Sequence, residues 1–349
     1  MSRPGRVHGP LFELTRVRIR EFLREPEAIF WVFAFPLLLA LGLGIAFKNR
    51  PLEAIRVAVE DRGPGADRLV HELDATPSVS ARLLGSDSAR SALRTGKIAL
   101  VVVPGDTVTY VFDPARDESR LARVQVDALV QRAAGRKDPR PVEERHLTEP
   151  GSRYIDFLIP GLLAMNLMGA GMWGVGFPLV EGRRRRLTKR FLATPMRKSH
   201  YLLAFIFSRL AFVVLETALL IGFGWLAFDV RVYGSVITLG FVALLGSLTF
   251  SGLGLLTASR ARTIEGISGL LNVVMLPMWI FSGVFFSYSR FPDALQPFIR
   301  LLPLTPLTDA LRAIVTEGAS LIDVLPRLGL LGAWAVLSFG AALKIFRWE

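Results

Sequence analysis

The chain has 349 residues, 51% of them hydrophobic, with a mean hydropathy of +0.42 and a formal net charge of +12. That mixture excludes a uniformly soluble protein and describes a multi-span membrane protein carrying one sizeable polar segment. The absence of cysteine excludes disulfides, thiolate metal sites and cysteine nucleophiles. The positive charge does not mark a nucleic-acid face either: residues 48–153 hold 18 basic and 16 acidic residues, so most of the excess lies in the N-terminal arm and in short loops between apolar runs.

Residues 10–25 predict an amphipathic helix. Leu11, Phe12, Thr15, Ile19, Phe22 and Leu23 share one face, Glu13, Arg16, Arg20 and Arg24 take the other, and Arg18 falls at the boundary. Such a helix just before a span lies in the membrane interface; a solvated basic arm is the plainer reading. Six apolar runs follow at about 28–47, 156–180, 201–228, 234–258, 266–288 and 324–345, each near the ~20 residues that cross a bilayer.

Between the first two runs, residues 48–155 predict one α/β module. Ile55–Val59 alternates like a strand, 66–75 reads as a helix, 98–104 as a buried strand, 107–112 as its neighbour, 117–134 as a second long helix and 135–150 as a linker.

The loop at 181–198 carries eight Lys or Arg among eighteen residues. A short basic loop of this kind is retained in the cytoplasm. Residues 1–27 carry six Lys or Arg, whereas the loop at 229–233 carries only Arg231. Both termini are therefore expected inside, with 48–155 outside. Leu187, Phe191, Leu192 and Met196 interrupt the charges of the basic loop at helical intervals. It reads either as a topology signal that anchors anionic lipids or as a short helix offered to a cytoplasmic partner, ended by Thr194-Pro195.

Glu216 is the lone acid deep in the third run, and intramembrane carboxylates are costly. It either pairs structurally or lines a translocation path. Arg209, seven residues earlier on a similar face, is expected to snorkel to the inner surface. Asn166 and Asn272 read as interhelical hydrogen-bonding groups. The segment 289–323 holds Pro292, Pro297, Pro303 and Pro306 among apolar residues, which predicts two short half-inserted helices covered by protein.

No phosphate loop is present: Gly96-Lys97 lacks both the earlier glycine and the following Ser/Thr. Gly169-Ala170-Gly171-Met172-Trp173-Gly174 has the dinucleotide-binding spacing but lies inside a span without a preceding strand, so it reads as close helix packing. His8, His71, His146 and His200 are scattered, and neither a hydrolytic nor a redox constellation is visible. The chain is not expected to be an enzyme.

Three segments in this order resemble the permease subunits of ABC exporters of the type-two permease class (the ABC-2 type membrane family). They are Glu181-Gly182 with Leu187, Leu192 and Thr194-Pro195; Leu276-Pro277-Met278-Trp279-Ile280-Phe281-Ser282-Gly283-Val284-Phe285-Phe286; and Leu302-Pro303-Leu304-Thr305-Pro306-Leu307-Thr308-Asp309-Ala310-Leu311-Arg312. The chain departs from the family pattern at Arg183–Arg186. The resemblance implies an all-α polytopic fold of six transmembrane helices with an inserted α/β extracytoplasmic domain. It divides the chain into a cytoplasmic amphipathic helix (1–27), a first span (28–47), the external domain (48–155) and a five-helix membrane domain (156–349).

It further implies a bacterial cytoplasmic (inner) membrane location, a second permease copy or paralogue, surrounding lipids, and cytoplasmic ABC ATPase subunits that hold ATP and Mg; this chain itself would hold no cofactor. The loop 181–200 would couple to the ATPase through Glu181, Gly182, Leu187, Phe191, Leu192, Thr194 and Pro195. Segment 289–312 would close the outer end, with Pro277, Gly283, Pro303, Pro306, Asp309 and Arg312 shaping that gate. Spans with few fixed charges lean toward a lipophilic or amphipathic cargo. The competing reading is a membrane-anchored assembly or sensor protein whose external domain binds a ligand.

Overall fold

The computed structural model describes residues 10–47, 54–62, 65–105, 107–136, 140, 153–185 and 198–345. They divide into two compact units, one from residues 1–48 with 148–349 and one from 49–147.

The smaller unit is an α/β layer. Strands β1 (Ile55–Glu60), β2 (Val79–Leu84), β3 (Leu100–Val103) and β4 (Thr109–Val111) form one sheet in the order β2-β1-β3-β4. β1 pairs in parallel with β2 and β3, and β4 returns antiparallel to β3. Parallel neighbours need crossover helices; α3 (Ala66–Asp74) and α4 (Ser86–Arg94) supply them. Helix α5 (Asp117–Ala133) follows β4 and buries Ala122, Val126 and Val130 in one cluster with Val57, Val59, Leu100 and Val102. Ala58 and Val101, pointing the other way as strand alternation demands, pack with Ala89 and Ile98. The Tyr110 hydroxyl donates to Asp127 Oδ1 at 3.1 Å, and burial together with that acceptor pushes the phenol up to about 12. β2 and α4 were not expected from the sequence, and they bring the sheet to four strands.

The larger unit is helical. Helix α1 (Pro10–Leu23) is followed by α2 (Pro26–Ala46), α6 (Tyr154–Arg184), α7 (Lys198–Phe228), α8 (Val236–Ala258), α9 (Ile264–Phe281), the short α10 (Gln296–Leu301), α11 (Leu304–Glu317) and α12 (Leu325–Ile345). Among the described residues six helices are long and apolar enough to cross a membrane: α2, the stretch Leu203–Phe228 of α7, and α6, α8, α9 and α12. The second of them, α6, is the core, with 83% of its most apolar window buried; α2 has 17%.

Glycines set how closely α6 meets its neighbours, since in a bilayer association rests on packing and not on expulsion of water. A Cβ built on Gly171 would lie 2.9 Å from the Phe250 Cβ of α8, and one on Gly254 would lie 2.8 Å from the Met172 carbonyl oxygen and 2.9 Å from its Cα. Of the glycines at 169–174, Gly171 thus serves helix packing, as its position inside a span predicts, whereas Gly169 and Gly174 meet no neighbour closer than 3.7 Å. Gly254→Ala has only backbone to push against. It should force α6 and α8 apart and cost about 1–3 kcal/mol, read as a lower midpoint in the thermal inactivation of the detergent-purified protein; an unchanged midpoint would refute the close approach.

Two expectations need correction. The fifth span ends at Phe281 and not near 288, because Ser282 leaves the helix and Gly283 takes φ +75°, a left-handed conformation that ends helices. Arg209 does not snorkel: it is 5% exposed and pairs within its own helix with Glu216. The second proline-bounded helix, α11, lies within the expected segment 289–323 and ends at Glu317, where Gly318 at φ +69° caps it. On α1, Phe12 and Leu23 of the apolar face are exposed, and Arg18 lies over the Phe205 ring of α7 at 3.9 Å.

Candidate functional site

Helices α1, α2, α6, α7 and α9 line a half-open cavity of about 820 Å³. Its long wall is one face of α6, marked by Asn166, Gly169, Trp173, Phe177 and Glu181, residues three or four apart that a helix places in one stripe. Opposite stand Trp31 and Phe35 of α2, Phe205 and Phe212 of α7, and Met275 and Trp279 of α9.

The end of the cavity near the C-terminus of α6 is charged. Arg185 Nε donates to Glu181 Oε1 at 2.6 Å, and Arg18 Nη1 to Glu21 Oε2 at 2.8 Å; Glu25 and Glu27 also line this end. Toward Asn166 and Met275 the walls are apolar and aromatic. An amphipathic molecule therefore meets surfaces of both kinds along one path, the composition that ligand cavities favour.

Local sequence chemistry explains one polar contact in the apolar part. Pro36 has no N–H, so the carbonyl four residues earlier, that of Val32, loses its helical donor. The chain forms a wider turn at Phe30–Ala34, and Asn166 Nδ2 donates to Val32 O at 3.1 Å. Asn166 thus makes the interhelical bond expected of it, while Asn272 lines the cavity from an exposed position on α9.

Glu216 is buried, and both of its carboxylate oxygens accept from the guanidinium of Arg209. Glu216 does not line the cavity, whereas Arg209 does. The cavity-lining member of the pair is therefore the arginine.

At the start of the basic loop, Glu181 and Gly182 close α6. Arg183 turns back to donate to Ala258 O at 2.8 Å and Ala261 O at 3.1 Å, carbonyls at and just past the end of α8, where a cation is favoured by the helix dipole. Leu187, Phe191, Leu192, Thr194 and Pro195 lie outside the described residues.

A second cluster joins the expected gate residues. Pro277 sits inside α9, Pro303 precedes α11, and Pro306 is buried in its first turn. Arg312 Nη2 donates to Gly283 O at 2.7 Å, its guanidinium lies 3.6 Å from the centre of the Phe157 ring, and Asp309 is 3.8 Å away. The Tyr288 hydroxyl donates to Asp309 at 3.2 Å. Gly283, Asp309 and Arg312 are thus brought together, while Pro277, Pro303 and Pro306 shape the chain around them. Tyr288, Phe157, Arg183 and Trp279 were missed as site residues; an aromatic beside a predicted arginine is too common in a greasy sequence to single out.

Residues 26–344 match the family model described as "ABC-2 family transporter protein". Among curated proteins the chain is 26% identical over 183 residues to the "Linearmycin resistance permease protein LnrN" of Bacillus subtilis, covering 50% of this chain and 46% of that one. It is 35% identical over 107 residues to "Nodulation protein J" of Bradyrhizobium diazoefficiens, covering 30% and 40%. It is 22% identical over 369 aligned positions to the "Probable multidrug ABC transporter permease YbhS" of Escherichia coli, covering 96% and 97%. The match thus spans less than half the length of the first two relatives and nearly all of the third.

Proposed function

Because the chain belongs to the ABC-2 family of transporter proteins and is a multi-pass membrane subunit of an ABC transporter, we propose that it moves an amphipathic cargo outward along the 820 Å³ cavity, powered by a separate ATPase. The observation that carries this reading is the cavity itself: aromatic for most of its length, charged at the end where α6 runs into the basic loop. A cargo with one polar end would enter there.

In this reading the basic loop from Glu181 faces the cytoplasm and bears on ATPase subunits that bind ATP and Mg. Arg183 would carry its movement into the end of α8, since its guanidinium donates to Ala258 O and Ala261 O there. ATPase closure can shift the spans only by contacting their two states differently, and a loop tethered to α6 and α8 is where such a difference would be felt. The unit at 49–147 would stand outside the inner membrane, with both termini inside, and a second copy or paralogue would complete the channel. The names of LnrN and YbhS, a resistance permease and a multidrug permease, fit a lipophilic cargo.

The test is co-purification of the tagged chain in mild detergent with the ABC ATPase of its gene neighbourhood, followed by ATP hydrolysis. Wild type should bind the ATPase and raise its rate. A Glu181→Ala, Phe191→Ala variant should insert normally yet lose roughly tenfold or more of the stimulation, as removal of central contact residues does at interfaces. A wild-type chain that recruits no ATPase would favour the anchored sensor reading. Because the sequence has no cysteine, Ser88→Cys reports sidedness directly: an impermeant maleimide should label it in intact spheroplasts.

A further inference from the structure

Two nitrogens on cavity-lining residues have no use in this fold. Arg209 Nε and Trp279 Nε1 are buried donors without a hydrogen-bond partner among the described residues. Arg209 is itself 95% buried, and its side chain reaches α6, where its Cδ is the group nearest to Gly174, another cavity-lining residue. Trp279 stands one helical turn beyond Met275, which packs toward Gly169. The two donors therefore sit at different heights along α6, one on α7 and the other on α9. A buried N–H without a partner is unfavourable, and two of them beside one cavity would be satisfied by an occupant that accepts.

The neighbouring charge narrows the class. Both terminal nitrogens of the Arg209 guanidinium are engaged by Glu216, so its charge is already balanced. An anion approaching Nε would meet the Glu216 carboxylate just behind the guanidinium and gain little. An uncharged oxygen pays no such penalty and still accepts the N–H.

We propose that Arg209 Nε and Trp279 Nε1 are two acceptor-binding subsites for an uncharged, oxygen-bearing cargo, an ester, amide or ketone on an otherwise apolar frame. This rests on the transport reading for its biological sense, but the binding itself does not. Both nitrogens are shielded in the present conformation, so the side chains must turn toward the cavity as the cargo arrives; Gly174 leaves room opposite Arg209 for that movement.

The test uses the full chain in nanodiscs and three tritiated probes of equal length: a twelve-carbon methyl ester, the corresponding hydrocarbon and the corresponding carboxylate, with counts from protein-free nanodiscs subtracted. The ester should bind saturably and more tightly than the other two. In the double variant Arg209→Leu, Glu216→Leu, which leaves no unpaired charge to disturb folding, ester affinity should fall about tenfold, the usual weight of one well-placed hydrogen bond. Trp279→Phe, which keeps the ring and removes the N–H, should lower it several-fold, with the hydrocarbon unaffected by either change. Equal binding of ester and hydrocarbon, ester binding indifferent to both variants, or a preference for the carboxylate would overturn the assignment. If ester binding behaves as expected but the chain recruits no ATPase, the subsites stand and the transport reading fails. Recruitment and stimulation without ester preference give the reverse.

Discussion

Replacing Glu216 by leucine should be the most damaging single substitution in the helical unit, costing about 3–5 kcal/mol, the usual penalty for leaving one partner of a buried ion pair alone. The reason is local. Arg209 and Glu216 lie seven residues apart on α7, two helical turns, so their side chains meet along one face, and both are almost fully buried. With the carboxylate gone, a guanidinium that is 5% exposed has neither water nor a counter-ion for its terminal nitrogens.

The informative comparison is the double replacement Arg209→Leu, Glu216→Leu. Exchanging a whole buried pair for apolar side chains is often neutral, so the second change should restore most of what the first removed. Fluorescence-detected size-exclusion after graded heating gives the ranking: wild type and double variant close together, Glu216→Leu well below. A single variant as robust as wild type would mean that the pair is not closed off as described.

The second large effect is expected at Arg312. Its guanidinium donates to the Gly283 carbonyl, covers the Phe157 ring and stands beside Asp309, so one side chain ties α11 to the break after α9 and to the start of α6. Arg312→Ala removes all three contacts and should loosen residues 282–287. Val284 is 1% exposed, and in a chain free of cysteine a Val284→Cys reporter is unambiguous. It should react slowly with a maleimide in the native background and at least tenfold faster with Arg312→Ala, because labelling then follows the local opening equilibrium. Lysine at 312 should rescue little, since it supplies neither the planar face nor the fork. Equal labelling rates in all three backgrounds would remove the latch.

The six apolar helices were legible because each is a long run with few charges, and hydropathy reads such runs directly. Their ends were not: Phe281 and Phe285 are equally apolar, and only the left-handed Gly283 between them stops α9. Helix α4, Ser-Asp-Ser-Ala-Arg-Ser-Ala-Leu-Arg, is mostly polar, and its burial rests on Ala89 packing beneath the sheet. Strand β2 has an arginine at its fourth position and a modest apolar alternation. β2 is held by pairing with β1, and α4 by packing against Ala58 of β1 and Val101 of β3, neighbours that no local window contains.

At the site, the sequence pointed to Glu216, Asn166 and Asn272 as the polar groups worth attention. It could not tell that Arg209 faces the cavity while its carboxylate faces away, since the two share nearly the same angular position on the helix. The coupling residues from Leu187 to Pro195 rest on helical spacing and on the family resemblance, and the sidedness of the unit at 49–147 rests on the charge of the short loops.

The uneven burial of the spans bears on how the protein is made. α2 has a mean hydropathy of 2.4 over its most apolar window and α6 only 1.5. The ribosome delivers α2 first, then the whole unit at 49–147, so at 5–20 residues per second α2 waits roughly 5–20 s in lipid before α6 emerges. It is apolar enough to wait alone. α6 is not, for it carries Asp156 and Asn166 and presents glycines shaped to a helix not yet synthesised. Its stable residence in the bilayer depends on α8 arriving some seventy residues later, so a nascent chain stalled between the two would hold a helix the translocon has reason to keep at its gate.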